Sequence, residues 1–148
     1  MKPVVMLDSG LVGVLTNPTP TAKVLAMDLW LAAMLMANRR VILPEIADYE
    51  VRRELIRANK LKSLLLLDQL AMRIEYLPIN TSAMRRAAEL WAQARLGGYQ
   101  TAGNTALDGD VILAAQASTL GVAVIVATDN VAHLSRYVPS QDWQSVTP

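Results

Sequence analysis

Apolar residues fall along the chain in short unbroken runs, separated by longer stretches in which they recur every third or fourth position. The runs have the pattern of buried strands and the longer stretches that of helices. Pro3–Leu7 (PVVML) is the first run, ended by Asp8-Ser9-Gly10, and reads as a buried strand followed by a tight turn. Asn17-Pro18-Thr19-Pro20-Thr21 forms a loop, with Thr21 able to cap a helix running to about Asn38. Val41–Leu43 is a second short run, stopped by Pro44, which suits the first turn of a helix continuing to about Ala58. Helical spacing returns over Leu61–Arg73, a strand follows over Ile74–Leu77, and a further helix over Thr81–Leu96. Gly97–Thr105 reads as a polar loop, and a helix from about Gly109 to Leu120 stops at Gly121. Val122–Ala127 (VAVIVA) is uniformly apolar and mostly β-branched, ending at Thr128-Asp129-Asn130. Short strands separated by helices give an α/β fold, a three-layer sandwich with a short, mainly parallel central sheet flanked by helices. No repeat, low-complexity tract or long linker interrupts the pattern, so residues 1–148 are expected to form a single domain.

Composition narrows the chemistry. The 148 residues are 53% hydrophobic and 18% charged, which is enough apolar matter for a core without staples. Phe is absent, so the core is aliphatic, and the seven methionines read as adaptable packing. Cysteine is also absent, which excludes disulfides, thiolate metal sites and cysteine nucleophiles and is compatible with the reducing cytoplasm expected here. The amino terminus lacks the long apolar run and cleavage site of a signal peptide. The most apolar stretch, Leu29–Ala37, is about half of a bilayer span. It is also bounded by Asp28 and Arg39, so no membrane association is expected. A net charge of +1 excludes a polycation that grips nucleic acid by bulk electrostatics; such binding has to come from a local patch or a metal ion.

The acids are the informative residues. Asp8 and Asp129 each follow a buried strand directly, and the carboxyl ends of strands form the ligand crevice of open α/β sheets. Two carboxylates there repel each other unless a cation lies between them. On the helix from Pro44, at ~100° per residue, Glu50 and Glu54 fall within ~60° of Ala47, beside Val51 and Ala58, and so look inward. The competing assignment pairs them with Arg53 and Arg57 along the helix. On the helix ending at Leu120, Asp110 shares a face with Leu107, Leu113, Ala114 and Ala117, whereas Asp108 points away and reads as the helix cap. Hard oxygen donors of this kind suit Mg²⁺ or Mn²⁺.

The pattern resembles the PIN-domain nucleases, and among them the VapC-like toxin ribonucleases. The matching segments are Val4-Val5-Met6-Leu7-Asp8-Ser9, Tyr49-Glu50-Val51-Arg52-Arg53-Glu54-Leu55, Asp110-Val111-Ile112-Leu113-Ala114-Ala115-Gln116-Ala117 and Val126-Ala127-Thr128-Asp129-Asn130. Their order and spacing span essentially the whole chain. The resemblance implies a PIN-like fold and a cluster of Asp8, Glu50, Asp110 and Asp129 that both binds metal and catalyses hydrolysis of RNA. Ser9, Thr128 and Asn130 become supporting polar groups, and Glu54, outside the matched helix motif, a helper. It further implies a protein partner, an antitoxin, that holds the toxin inactive.

The remaining residues leave several assignments open. Arg53 and Arg57 beside the cluster are the expected substrate cations, with Arg52, Arg85 and Arg86 as further candidates and Arg39-Arg40 more remote. In Gly97–Thr105, Tyr99, Gln100 and Asn104 are suited to stacking and hydrogen bonding with single-stranded RNA, or form an ordinary loop. His133 lies four residues after Asp129 and is assigned to the surface or a cap rather than to the site rim. The helix Thr21–Asn38 is apolar nearly all round, which fits a homodimer interface, a groove for a partner helix, or a larger core. No Ser-His-Asp or Cys-His set competes as a catalytic centre. A haloacid-dehalogenase-type phosphotransferase needs a second Asp where Gly10 stands, and no glycine-rich turn supports dinucleotide binding. The alternative to a ribonuclease is a catalytically silent PIN-like module that binds RNA or protein.

Overall fold

The computed structural model describes residues 2–97 and 104–148. Strand β1 (Val4–Leu7) is followed without a turn by α1 (Ser9–Leu15), then α2 (Ala22–Met36) and β2 (Val41–Pro44). Next come α3 (Glu45–Arg57), α4 (Leu61–Arg73), β3 (Glu75–Leu77), α5 (Thr81–Leu96) and α6 (Asn104–Ser118). The chain ends with β4 (Val124–Thr128), α7 (Val131–Leu134), β5 (Ser140–Asp142) and a 3₁₀ turn over Trp143–Ser145. The strands form one sheet in the order β3-β2-β1-β4-β5, with every pairing parallel.

The period-two rule of strands divides β1 between two cores. Val4 and Met6 join Ile42, Val126 and the inward faces of α5 and α6, including Ala87, Leu90, Leu107 and Val111. Val5 and Leu7 point the other way, to Leu11, Val12, Met27, Leu31 and Met34 of α1 and α2 and Leu67 and Leu70 of α4. The result is the expected three-layer sandwich. Because both faces are covered, β1 and β2 are buried at every position, which is why they read as continuous apolar runs.

Three expectations need correction. Ser9-Gly10 is not a turn: Asp8 caps α1 directly, accepting the Ser9 amide at 2.7 Å. The helix carrying Asp110 begins at Asn104, not Gly109. Asp108 therefore lies inside it, exposed, and is not its cap. Thr21 caps α2 as expected, through its hydroxyl and the Val24 amide.

Pro44 can begin α3 but has no side chain to cap it. The buried amide of Gln116 on α6 fills the gap, its Oε1 accepting from Ile46 N and its Nε2 donating to Leu77 O at 2.9 Å. One side chain thereby ties α6 to the start of α3 and the end of β3.

Candidate functional site at the sheet switch point

The chain winds from β1 outward to β3, then returns to place β4 on the other side of β1. Connections diverge between β1 and β4, and such a switch point opens a crevice at the carboxyl ends of the strands. Asp8 leaves β1 there. Its Oδ1 accepts from the Ser9 amide and its Oδ2 from Thr128 Oγ1 at 2.7 Å, while its own amide donates to Ala127 O. Both oxygens are thus fixed by groups at the ends of two adjacent strands. Thr128 is fully buried and also receives the Asn130 amide on its hydroxyl.

Glu50 comes from α3 and Asp110 from α6. Burial raises the pKa of Glu50, with Asp8 and Asp110 adding to the rise and Arg53 opposing it. Burial likewise raises Asp110, helped by Asp8 and opposed by His133. Three carboxylates from three elements therefore feel one another's charge. Glu50 lies against Gly109, where a Cβ would come 2.5 Å from Oε2; the absence of a side chain on α6 makes its room. His133 Nε2 donates to Asp110 Oδ2 at 2.6 Å. This histidine belongs to the site, contrary to its assignment to the surface. The one signal that could have found it was its position on the segment just after β4.

Asp129 is directed elsewhere. Its Oδ2 pairs with Lys23 of α2 at 2.9 Å and its Oδ1 accepts from Trp143 Nε1 at 3.0 Å. Trp143 in turn meets Trp30 edge to face, and Trp30 Nε1 donates to Val146 O. Asp129 thus sits at the crevice rim as the knot joining α2 to the carboxyl-terminal segment.

Glu54 does not look inward. It is exposed and pairs with Arg57 at 2.7 Å, which corrects its expected place beside Glu50 and occupies Arg57 as well. Arg52 is bound to Asp48 and Asp68 and Arg86 to Glu89, whereas Arg39 and Arg40 lie at the opposite end of the sheet. Arg53 is the proposed cation with an ion pair to the cluster, its Nη2 3.9 Å from Glu50 Oε2. Tyr99 and Gln100 lie outside the described residues, as does the side chain of Asn104.

Among the described residues, no three histidine, aspartate or glutamate side chains converge closely enough, as placed, to enclose a metal ion. The donor chemistry of Asp8, Glu50 and Asp110 nonetheless fits one. These are hard oxygen ligands, two of them pushed toward protonation by burial and mutual repulsion, which a cation relieves. Among the described residues, no helix is long and apolar enough to cross a membrane.

No curated protein matches the sequence. Similar solved structures exist despite low identity. VapBC2 from Rickettsia felis, bound to a DNA fragment from its promoter, gives a TM-score of 0.72 at 19% identity, covering 95% of this chain and 98% of that one. FitAcB from Neisseria gonorrhoeae gives 0.68 at 21%, covering 97% and 100%. VapBC-1 from nontypeable Haemophilus influenzae gives 0.68 at 23%, covering 96% and 99%. At these identities the likeness is one of fold. A family model of the PIN domain matches residues 13–137, a span holding Glu50 and Asp110 but not Asp8, whose place in the site rests on its contacts. That match covers most of the sequence, and with the sheet order and switch-point carboxylates it shows that the chain belongs to the PIN domain family.

Proposed function

We propose that this protein is a divalent-metal-dependent endoribonuclease acting on single-stranded RNA, and the toxin component of a toxin–antitoxin pair. The observation that carries the reading is the placement of Glu50 and Asp110, from two helices, near enough to Asp8 at the β1–β4 switch point for its charge to raise the pKa of both. We assign metal binding and catalysis to these three, with Asp129 at the rim.

Each residue has a definable task. The Ser9 amide and Thr128 hydroxyl hold Asp8 in one orientation, and His133 does the same for Asp110. Asn130 supports the site through its amide's bond to Thr128. Arg53 offsets charge at Glu50 and presents a cation to the RNA backbone. Asp8, Glu50 and Asp110 would hold Mg²⁺ or Mn²⁺, which when bound would supply a more acidic water and charge stabilisation at the phosphate. Without it, the acidic crevice repels RNA.

The partner would bind at α2 and α4. Leu15, Val24, Leu31, Leu66 and Leu70 line a depression of 470 Å³ there, rimmed by Asp28 and Arg73. Leu25 lines it too and is exposed at helical spacing with Leu29 and Met36 on α2, as are Leu61, Leu65 and Met72 on α4. These apolar stripes suit an antitoxin's amphipathic helix. A second copy of the chain is the competing occupant, and sedimentation of the protein alone against the protein with its partner separates the two.

The silent-module reading draws on the incomplete convergence of the acids. The deciding experiment incubates the purified protein with varied single-stranded RNAs in Mg²⁺, Mn²⁺ or chelator. Metal-dependent cleavage that disappears in Asp8→Asn supports the nuclease. RNA bound but uncut in both metals supports the silent module.

A further inference from the structure

Tyr49 precedes Glu50 on α3 and is 56% exposed. Among the described residues it is the one exposed aromatic side chain. Trp30 and Trp143 pack on each other, Tyr76 donates to Asp48 Oδ2, and Trp91 and Tyr137 pack against the core. Tyr49 belongs to neither hydrophobic cluster, so core packing does not account for it. One turn on, the Arg53 guanidinium lies over its ring, 5.1 Å from the centroid, and reaches toward Glu50. Ring, guanidinium and carboxylate thus form a continuous series that ends at the acidic cluster.

Aromatic rings and guanidinium planes are the surfaces on which proteins stack unpaired bases, and the stacking tolerates any base. We propose that Tyr49 and Arg53 form a seat for an unpaired nucleobase next to the phosphate at the carboxylates, the ring stacking on the base and the guanidinium meeting the backbone. This rests on the nuclease reading and adds a reason for single-strand selectivity, since a paired base in a duplex has both faces covered. Tyr49 also lines a depression with Glu45, Asp48, Arg52, Met84 and Ile112, where Asp48 is paired with Arg52 and Glu45 accepts the Ile79 amide. The guanidinium beside the ring on the carboxylate side is that of Arg53, and it is the cation offered to the backbone. The competing use of Tyr49, in contact with a protein or a second copy of the chain through Met84 and Ile112, is an outcome of the test.

The test measures binding in an Asp8→Asn background, so that RNA stays intact. Fluorescence anisotropy compares a single-stranded RNA with versions made abasic at one position in turn. Tyr49→Ala is expected to weaken binding of the intact RNA about tenfold, and Tyr49→Phe to leave it nearly unchanged. At one abasic position the penalty of Tyr49→Ala is expected to vanish, because the base it serves is already gone. An equal penalty at every position, or no penalty, overturns the proposal. So does a Tyr49→Ala protein that changes oligomer size while keeping the intact-to-abasic difference. If the parent neither binds nor cuts RNA, the nuclease reading itself fails; if it binds and only the Tyr49 dependence is missing, the seat alone fails.

Discussion

Glu50 keeps its place because Gly109 faces it across the α3–α6 contact with no side chain. The atom a Cβ would strike is the free end of a flexible chain, so Gly109→Ala should displace the carboxylate and spare the helix. Helix propensity favours Ala by about 0.5–1 kcal/mol. The expected protein is therefore at least as stable as the parent in chemical denaturation, with Mn²⁺ affinity by calorimetry lowered about tenfold. Unchanged affinity would place Glu50 outside the ion's reach. Asp110→Asn, like Asp8→Asn, is expected to abolish metal-dependent cleavage with the circular dichroism of the fold retained. Asp8, Glu50 and Asp110 were legible because strand ends and helix phase are local properties. Asp129 was legible in position only: its orientation is set by Lys23, 106 residues away, and by Trp143. Helix phase also overreached at Glu54, which shares its direction with Glu50 but lies one turn on, exposed. The His133–Asp110 contact depends on where the short α7 falls, and no periodicity encodes that.

At the scale of elements, Gln116 shows how a helix start without a capping side chain is completed from a distant helix. Gln116→Leu preserves bulk but leaves the Ile46 amide and Leu77 carbonyl without their partner. Each such buried loss costs about 1–3 kcal/mol, so the midpoint of urea unfolding should fall clearly. A variant as stable as the parent would mean that water replaces the amide. Most helices and strands were readable from the sequence: α4 and α5 begin and end where apolar spacing placed them and Pro44 marked a true boundary, whereas α6 ends at Ser118, short of the Leu120 expected from Gly121. Where reading failed, glycine was involved. Asp8-Ser9-Gly10 suggested a turn, but the Asp8 cap and the burial of Leu11 and Val12 make a helix of α1. Gly109 suggested a helix start and proved to be a helix-interior position that accommodates Glu50. The last strand, β5, lacks an apolar run because SQD is a polar edge strand supported on one side by β4.

For the whole molecule, the acidic crevice works against stability when no cation is present. The folded state holds Glu50 and Asp110 above their ordinary pKa values, so it binds more protons than the unfolded chain from about pH 4 upward. Their contribution favours folding at low pH and is lost as pH rises through the raised values. In chelator, thermal stability from these groups should decline as pH rises above the ordinary carboxylate range. Mn²⁺ should raise the melting temperature, and more so at about pH 7 than at about pH 5. A metal-induced rise that is larger at the lower pH would count against carboxylate ligation. The sheet order carries a further consequence, for the order in which the chain is made. β1 acquires its second neighbour only when β4 pairs with it, and the hydroxyl that fixes Asp8 arrives on Thr128, 120 residues later. A ribosome-bound chain lacking that last portion has its first strand open on one edge and its first acid unheld. Cutting activity of the kind proposed therefore waits until β4 has been made and has paired, because a nascent copy without it cannot assemble the crevice.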